Sequence, residues 1–146
     1  MIQTRLKGMG VALITPFKED ESVDYDALMR LVDYLLQNNA DFLCVLGTTA
    51  ETPTLSEEEK KKIKKMVIDR VNGRIPILLG VGSNNTRAVV ETLKNDDFTG
   101  VDAILSVVPY YNNPHKKEFI STIKQLQALQ SFPSYYIMFR DVQELI

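Results

Sequence analysis

An α/β protein built on a parallel sheet is what this sequence predicts, on three observations. Short apolar runs alternate with longer amphipathic stretches. The runs are apolar throughout rather than at every second residue, as strands buried on both faces are. The connections are short, as repeated strand–helix crossovers require. Two architectures fit, the (β/α)8 barrel and the doubly wound sheet. A full barrel takes roughly 250 residues. A chain of 146 residues would supply about half of one.

Gly10–Thr15 (GVALIT), closed by Pro16, reads as the first strand, buried on both faces. Charged residues 18–21 form a loop. Asp24 then caps a helix whose Leu28, Leu31, Val32, Leu35 and Leu36 make one apolar stripe, ending near Asn38 and Asn39. Phe42–Leu46 is the second strand. Ser56, with Glu59 three residues on, is a capping box that opens a second helix reaching Asn72. Ile63, Met66, Val67 and Val71 form its buried face, and Gly73 supplies the stop. The lysines between 60 and 65 follow three glutamates and pair with them at helical offsets, so the run is a solvated face. Residues 75–79 form a third strand. Asn85 caps a third helix with Val89, Val90 and Leu93 inward, and Val101–Val108 is a fourth strand.

Composition narrows the function classes. The chain is 45% hydrophobic and 25% charged, with a formal net charge of -2. That balance argues against a nucleic-acid or membrane-surface partner. One cysteine, Cys44, sits in a strand, and the one histidine, His115, has no ligand-spaced partner, so neither a disulfide framework nor a metal site is expected. No apolar run approaches membrane-spanning length and no signal peptide is legible, so a cytoplasmic protein is expected.

Chemistry concentrates between Phe42 and Leu55, FLCVLGTTAETPTL. The apolar run breaks at Gly47, two hydroxyls follow at Thr48 and Thr49, then Glu51, then a helix. In α/β proteins ligands bind at loops leaving the C-terminal ends of strands. Gly47 would let backbone approach a ligand, and paired threonines offer hydroxyls and N–H groups to an anion. The plain alternative is a solvated strand-to-helix connection. Gly80 and Gly82 follow the third strand without the third glycine of a dinucleotide fingerprint. Tyr110 and Tyr111 follow the fourth, where a phenol can relay a proton or simply pack.

ALITPF at 12–17, GTTAE at 47–51, LSEE at 55–58, GVGSN at 80–84 and PYYN at 109–112 occur in an order and spacing that resemble the dihydrodipicolinate synthases (4-hydroxy-tetrahydrodipicolinate synthases). The resemblance runs from about Leu6 to Asn112. It implies the N-terminal part of a (β/α)8 TIM barrel, incomplete, from a family of tetramers built on tight dimers. The family condenses pyruvate with aspartate semialdehyde on the route to lysine. A barrel lysine forms a Schiff base with pyruvate, with no cofactor and no metal. By position Thr48 resembles the proton-relay threonine and Thr49 the binder of the pyruvate carboxylate. Tyr111 resembles the relay tyrosine that reaches across the dimer interface. Tyr110 and Asn84 match positions that bind lysine as a feedback inhibitor. Ala88 stands where an acidic residue is expected, and Glu57 and Lys60 where histidines are, so the lysine-sensitive pattern is incomplete. The runner-up is N-acetylneuraminate lyase, whose loop typically reads Gly-Ser-Thr where this chain has Gly47-Thr48-Thr49. Another pyruvate-dependent aldolase of the same superfamily is a further alternative, and a non-catalytic α/β fragment is the reading of a different class.

After Asn112 the pattern stops. Neither the family's Tyr-Asn-Val-Pro-Gly-Arg-Thr motif nor the segment carrying the Schiff-base lysine occurs in 113–146. A shifted reading frame accounts for this. Permitted codons for the stretch from His115, read in one shifted register, give Gln-Glu-Gly-Ile-Tyr-Gln-His-Tyr-Lys. The same register through 132–146 gives Pro-Ile-Ile-Leu-Tyr-Asn-Val-Pro-Gly-Arg-Thr-Gly-Thr-Asn. One base lost near the Asn112–Pro114 codons, followed by an early stop, is the expectation. It divides the chain into 1–112, the barrel part, and 113–146, an out-of-frame tail. The tail's apolar residues from Phe119 to Leu129 fall at helical spacing even so, and 135–139 are apolar enough for a strand. Open parallel edges at Gly10–Thr15 and at the last strand are expected to make the chain self-associate or pack loosely.

Overall fold

The computed structural model describes residues 6–107, which fall into two compact units. The first comprises 6–80 with 99–102, and the second 81–98 with 103–107.

In the first unit three strands, β1 (Gly10–Ala12), β2 (Phe42–Val45) and β3 (Ile77–Gly80), pair in parallel. Gly10 lies opposite Phe42, and Leu43 opposite Ile77. Leu43, Cys44 and Val45 are all buried, as are Ile77, Leu78 and Leu79, so β2 and β3 have both faces covered, as an apolar run predicts. β1 departs from expectation. It ends at Ala12 rather than Thr15, and beyond it burial alternates, Leu13 inside, Ile14 52% exposed, Thr15 inside. Among the described residues β1 pairs only with β2, and one free flank admits solvent that a central strand excludes.

The link from β1 is a tight loop closed by a Phe17–Val23 bridge, Lys18 N–H to Ser22 O at 2.8 Å and Asp24 N–H to Pro16 O at 2.8 Å. Asp24 then caps α1 (Tyr25–Gln37), accepting from Ala27 N–H at 2.8 Å. Helix α2 (Glu57–Val71) opens with the expected capping box: Glu59 N–H donates to Ser56 Oγ, and Ser56 N–H to Glu59 Oε2 at 2.8 Å. It ends at Asn72, itself left-handed at φ 47°, one residue before the expected Gly73. Asparagine tolerates this conformation.

Leu28 and Val32 of α1 and Ile63, Val67 and Val71 of α2 form the buried faces, and the helices pack on each other. Arg70 binds Asp33 through two parallel hydrogen bonds, one at 2.6 Å from Nε and a second from the other arm of the guanidinium. The Arg70 contact holds the Asp33 carboxyl below its ordinary value. The lysine run behaves as a solvated face. Lys60 pairs with Glu57, Lys65 with Asp69, and the Lys62 ammonium sits 3.7 Å from the centre of the Tyr25 ring.

The second unit contains α3 (Thr86–Asn95), capped by Asn85 accepting from Ala88 N–H, with Val89 and Leu93 buried. It also contains β4 (Ala103–Leu105), shorter than the expected run. Val81 N–H donates to Leu105 O at 2.8 Å. Tyr110, Tyr111, Asn112, His115 and the tail lie outside the described residues.

Candidate active site

The chain turns sharply where β2 ends. Leu46, buried, takes a left-handed φ of 55°, which a bulky non-glycine residue rarely adopts. Gly47 has φ -73° and ψ -176°, a conformation open to any residue. The left-handed step falls on the leucine, not on the glycine where the sequence suggests special geometry. A single turn, Thr48–Ala50, follows, with Ala50 N–H donating to Gly47 O and Glu51 N–H to Thr48 O, both at 3.1 Å. Glu51 is left-handed too, at φ 54°, and redirects the chain into a second short turn, Thr52–Thr54, and the Ser56 cap.

This turn leaves Thr48 and Thr49 exposed while Gly47 and Ala50 are buried on either side. The hydroxyls stand at the C-terminal end of β2, where ligands of α/β proteins bind. Two neighbours fix the turn. The Thr15 hydroxyl, buried beyond β1, donates to Ala50 O at 2.7 Å. At the end of β3, Gly80 lies so close that a Cβ there would sit 2.0 Å from Leu46 O and 2.9 Å from Gly47 N. Only a residue without a side chain lets these backbones meet. Sequence reasoning missed both contacts. The signal for Thr15 was a hydroxyl inside an otherwise apolar run, ALIT.

Cys44 is buried and its thiol is pushed up by burial, so it is packing rather than a nucleophile. In the second unit Asn84 is exposed, next to Ser83, whose hydroxyl accepts from Asn85 N–H at 3.2 Å. Among the described residues no lysine lies in a strand. Lys7 and Lys18 are in loops, residues 60–62, 64 and 65 on α2, and Lys94 on α3. No described helix is long and apolar enough to cross a membrane.

The model of the dihydrodipicolinate synthetase family matches residues 5–144, past the last recognised motif at Asn112. The 4-hydroxy-tetrahydrodipicolinate synthase of Phocaeicola vulgatus is 73% identical over 133 residues, covering 91% of this chain and 45% of that protein. Among solved structures, the chloride-inhibited dihydrodipicolinate synthase of Acinetobacter baumannii complexed with pyruvate superposes with a TM-score of 0.79 at 34% identity, over 92% of this chain and 45% of that one. N-acetylneuraminate lyase from Mycoplasma synoviae superposes with a TM-score of 0.80 at 27% identity, over 92% and 46%. The chain thus spans less than half the length of the relatives it matches. The parallel α/β sheet is the N-terminal part of a (β/α)8 barrel. By sequence and by fold, the chain belongs to the dihydrodipicolinate synthetase family.

Proposed function

We propose that the Thr48–Thr49 turn is the carboxylate corner of a pyruvate pocket. The intact protein would be a 4-hydroxy-tetrahydrodipicolinate synthase, condensing pyruvate with aspartate semialdehyde through a lysine Schiff base. The observation that carries this is the pair of exposed threonines on a rigidly held turn at the C-terminal end of β2, in a chain 73% identical to a synthase of that name. That identity, and threonine rather than serine at position 48, favour the synthase over the N-acetylneuraminate lyase reading.

In this reading Thr49 donates its hydroxyl and N–H to the substrate carboxylate, and Thr48 passes a proton to Tyr111. The phenol comes from a partner subunit of a homotetramer. The biosynthetic reaction points to the cytoplasm. The covalent step needs an amine held neutral beside the pyruvate carbonyl, by burial or by a neighbouring cation. The described lysines sit on helix faces and loops, exposed or half-buried. None of them is buried, so none has the desolvated setting that this step needs. Because 113–146 lacks the family's Schiff-base segment, we read it as an out-of-frame tail, and the chain as it stands as inactive in condensation.

Borohydride reduction with pyruvate present tests this. The chain as it stands should give no adduct above a denatured control. A gene with one base restored near the Asn112–Pro114 codons, and its downstream sequence present, should give one. A specific adduct on the unrepaired chain would overturn the reading.

A further inference from the structure

We propose that Thr15 is a positioning residue for the carboxylate turn, acting through the backbone rather than on substrate. The inference rests on the reading of Thr48–Thr49 given above.

A hydroxyl at this place calls for a reason. Thr15 is 5% exposed, and along this stretch it takes the inward place that Leu13 also takes. Valine has nearly the same shape and would fill such a position without a polar atom. A buried hydroxyl costs free energy unless it is bonded. Here its bond reaches out of its own segment, across 35 residues of sequence, to Ala50 O at 2.7 Å. Ala50 is buried and immediately follows Thr48 and Thr49, so the bond fixes the far end of the turn.

The donor is well placed to hold rather than follow. Thr15 precedes Pro16, which keeps its backbone extended, and its β-branched side chain has few rotamers. Pro16 O in turn accepts Asp24 N–H at 2.8 Å, anchoring the segment to the start of α1. The near end of the turn is fixed differently, by the approach of Gly80 to Leu46 and Gly47. The turn from the left-handed Leu46 to Ala50 is therefore held at both ends, from the segment beyond β1 and from the end of β3. Such a conformation persists only where the surroundings over-determine it. With both ends fixed, the Cα–Cβ bonds of Thr48 and Thr49 keep one direction, and their exposed hydroxyls are left available to a ligand.

The test compares Thr15→Val, which deletes the hydroxyl, with Thr15→Ser, which keeps it, in the full 146-residue chain. Thr15→Ala serves in place of valine should the valine methyl overpack. Amide hydrogen exchange is followed by NMR at Ala50 and Glu51, whose N–H groups close the turn, and at Leu43 in β2 as the reference. Losing one hydrogen bond should speed exchange at Ala50 and Glu51 about fivefold to tenfold relative to Leu43, and serine should restore it. Exchange rising equally at all three sites, or staying fast in the serine variant, overturns the proposal and leaves Thr15 as ordinary packing. Pyruvate titration of the unmodified chain separates the two readings. If Thr49 N–H does not respond, the carboxylate assignment fails while the exchange result still decides the clamp.

Discussion

β2 and the turn that follows it are adjacent in sequence and opposite in physics. Phe42–Val45 is regular, parallel-paired on both sides and buried on both faces from Leu43 onward. From Leu46 to Glu51 the chain twice takes left-handed angles, exposes two hydroxyls, and relies on contacts reaching in from β1's extension and from β3. The strand earns its place through burial. The turn buries Leu46, Gly47 and Ala50 but is held in shape by a few directional contacts. In a barrel this division is general: the strands supply stability and the loops at their C-terminal ends carry chemistry. It implies that substitutions in the two stretches fail in different ways.

The largest effect should come from the strand. Leu43 is fully buried. Leu43→Ala removes apolar burial and leaves a cavity, at a cost of about 2–5 kcal/mol. Urea denaturation followed by circular dichroism would measure it. A cost under about 1 kcal/mol would mean that the strand is not packed as described.

At the boundary, Gly80→Ala should cost about 1–3 kcal/mol, because the added methyl meets the backbone of Leu46 and Gly47, which cannot rotate away. Gly10→Ala is the control. Its Cβ would first meet the Phe42 ring, a side chain that can turn. Equal costs for the two would break the claim that the turn is seated on backbone. Chemical-shift changes from Gly80→Ala should centre on 46–51.

These contrasts explain what was legible in the sequence. Alternation of apolar runs and amphipathic stretches reports burial, so β2, β3 and the inner faces of α1, α2 and α3 could be read directly. Apolarity does not report backbone angle, so Leu46 read as strand although it turns left-handed. Nor does it report whether a strand has neighbours on both sides, so β1 read as buried and, among the described residues, is partly open. Caps were legible at Asp24, Ser56 and Asn85 because their partners lie three residues away. The Asp33–Arg70 pair, 37 apart, and the Thr15–Ala50 bond, 35 apart, were not, since both depend on tertiary placement. The site residues Thr48 and Thr49 stood out locally only as polar groups after a strand. Their assignment came from the resemblance, and its partner Tyr111 lies outside the described residues.

Acid should reach the helix layer before the strand interior. Asp33 is held down by its hydrogen bonds with Arg70, and Glu59 by those with Ser56. A carboxyl whose folded pKa is depressed contributes stability that is complete above its unfolded value and is lost as pH falls through the folded one. Stability should therefore decline below about pH 4. Asp33→Asn should flatten that decline, read as the pH dependence of the urea midpoint. An unchanged slope would show that the pair has no thermodynamic weight, as many exposed pairs have none.

The smallest effect on stability should be at the residue closest to the proposed chemistry. Thr49 is exposed, and Thr49→Val removes a hydroxyl that the turn's backbone bonds do not use. The urea midpoint should move by no more than about 0.5 kcal/mol equivalent. Any response of the 47–51 amides to pyruvate should nevertheless disappear, because a carboxylate loses a donor that valine cannot replace. Acetate, a carboxylate without the keto group, should perturb the same amides in the unmodified chain if the turn recognises the carboxylate itself. A variant that keeps the pyruvate response at full strength would remove Thr49 from the site and leave the turn with a structural role. A variant that loses several kcal/mol would instead erase the contrast between strand and turn, since the hydroxyl would then be part of what holds the fold.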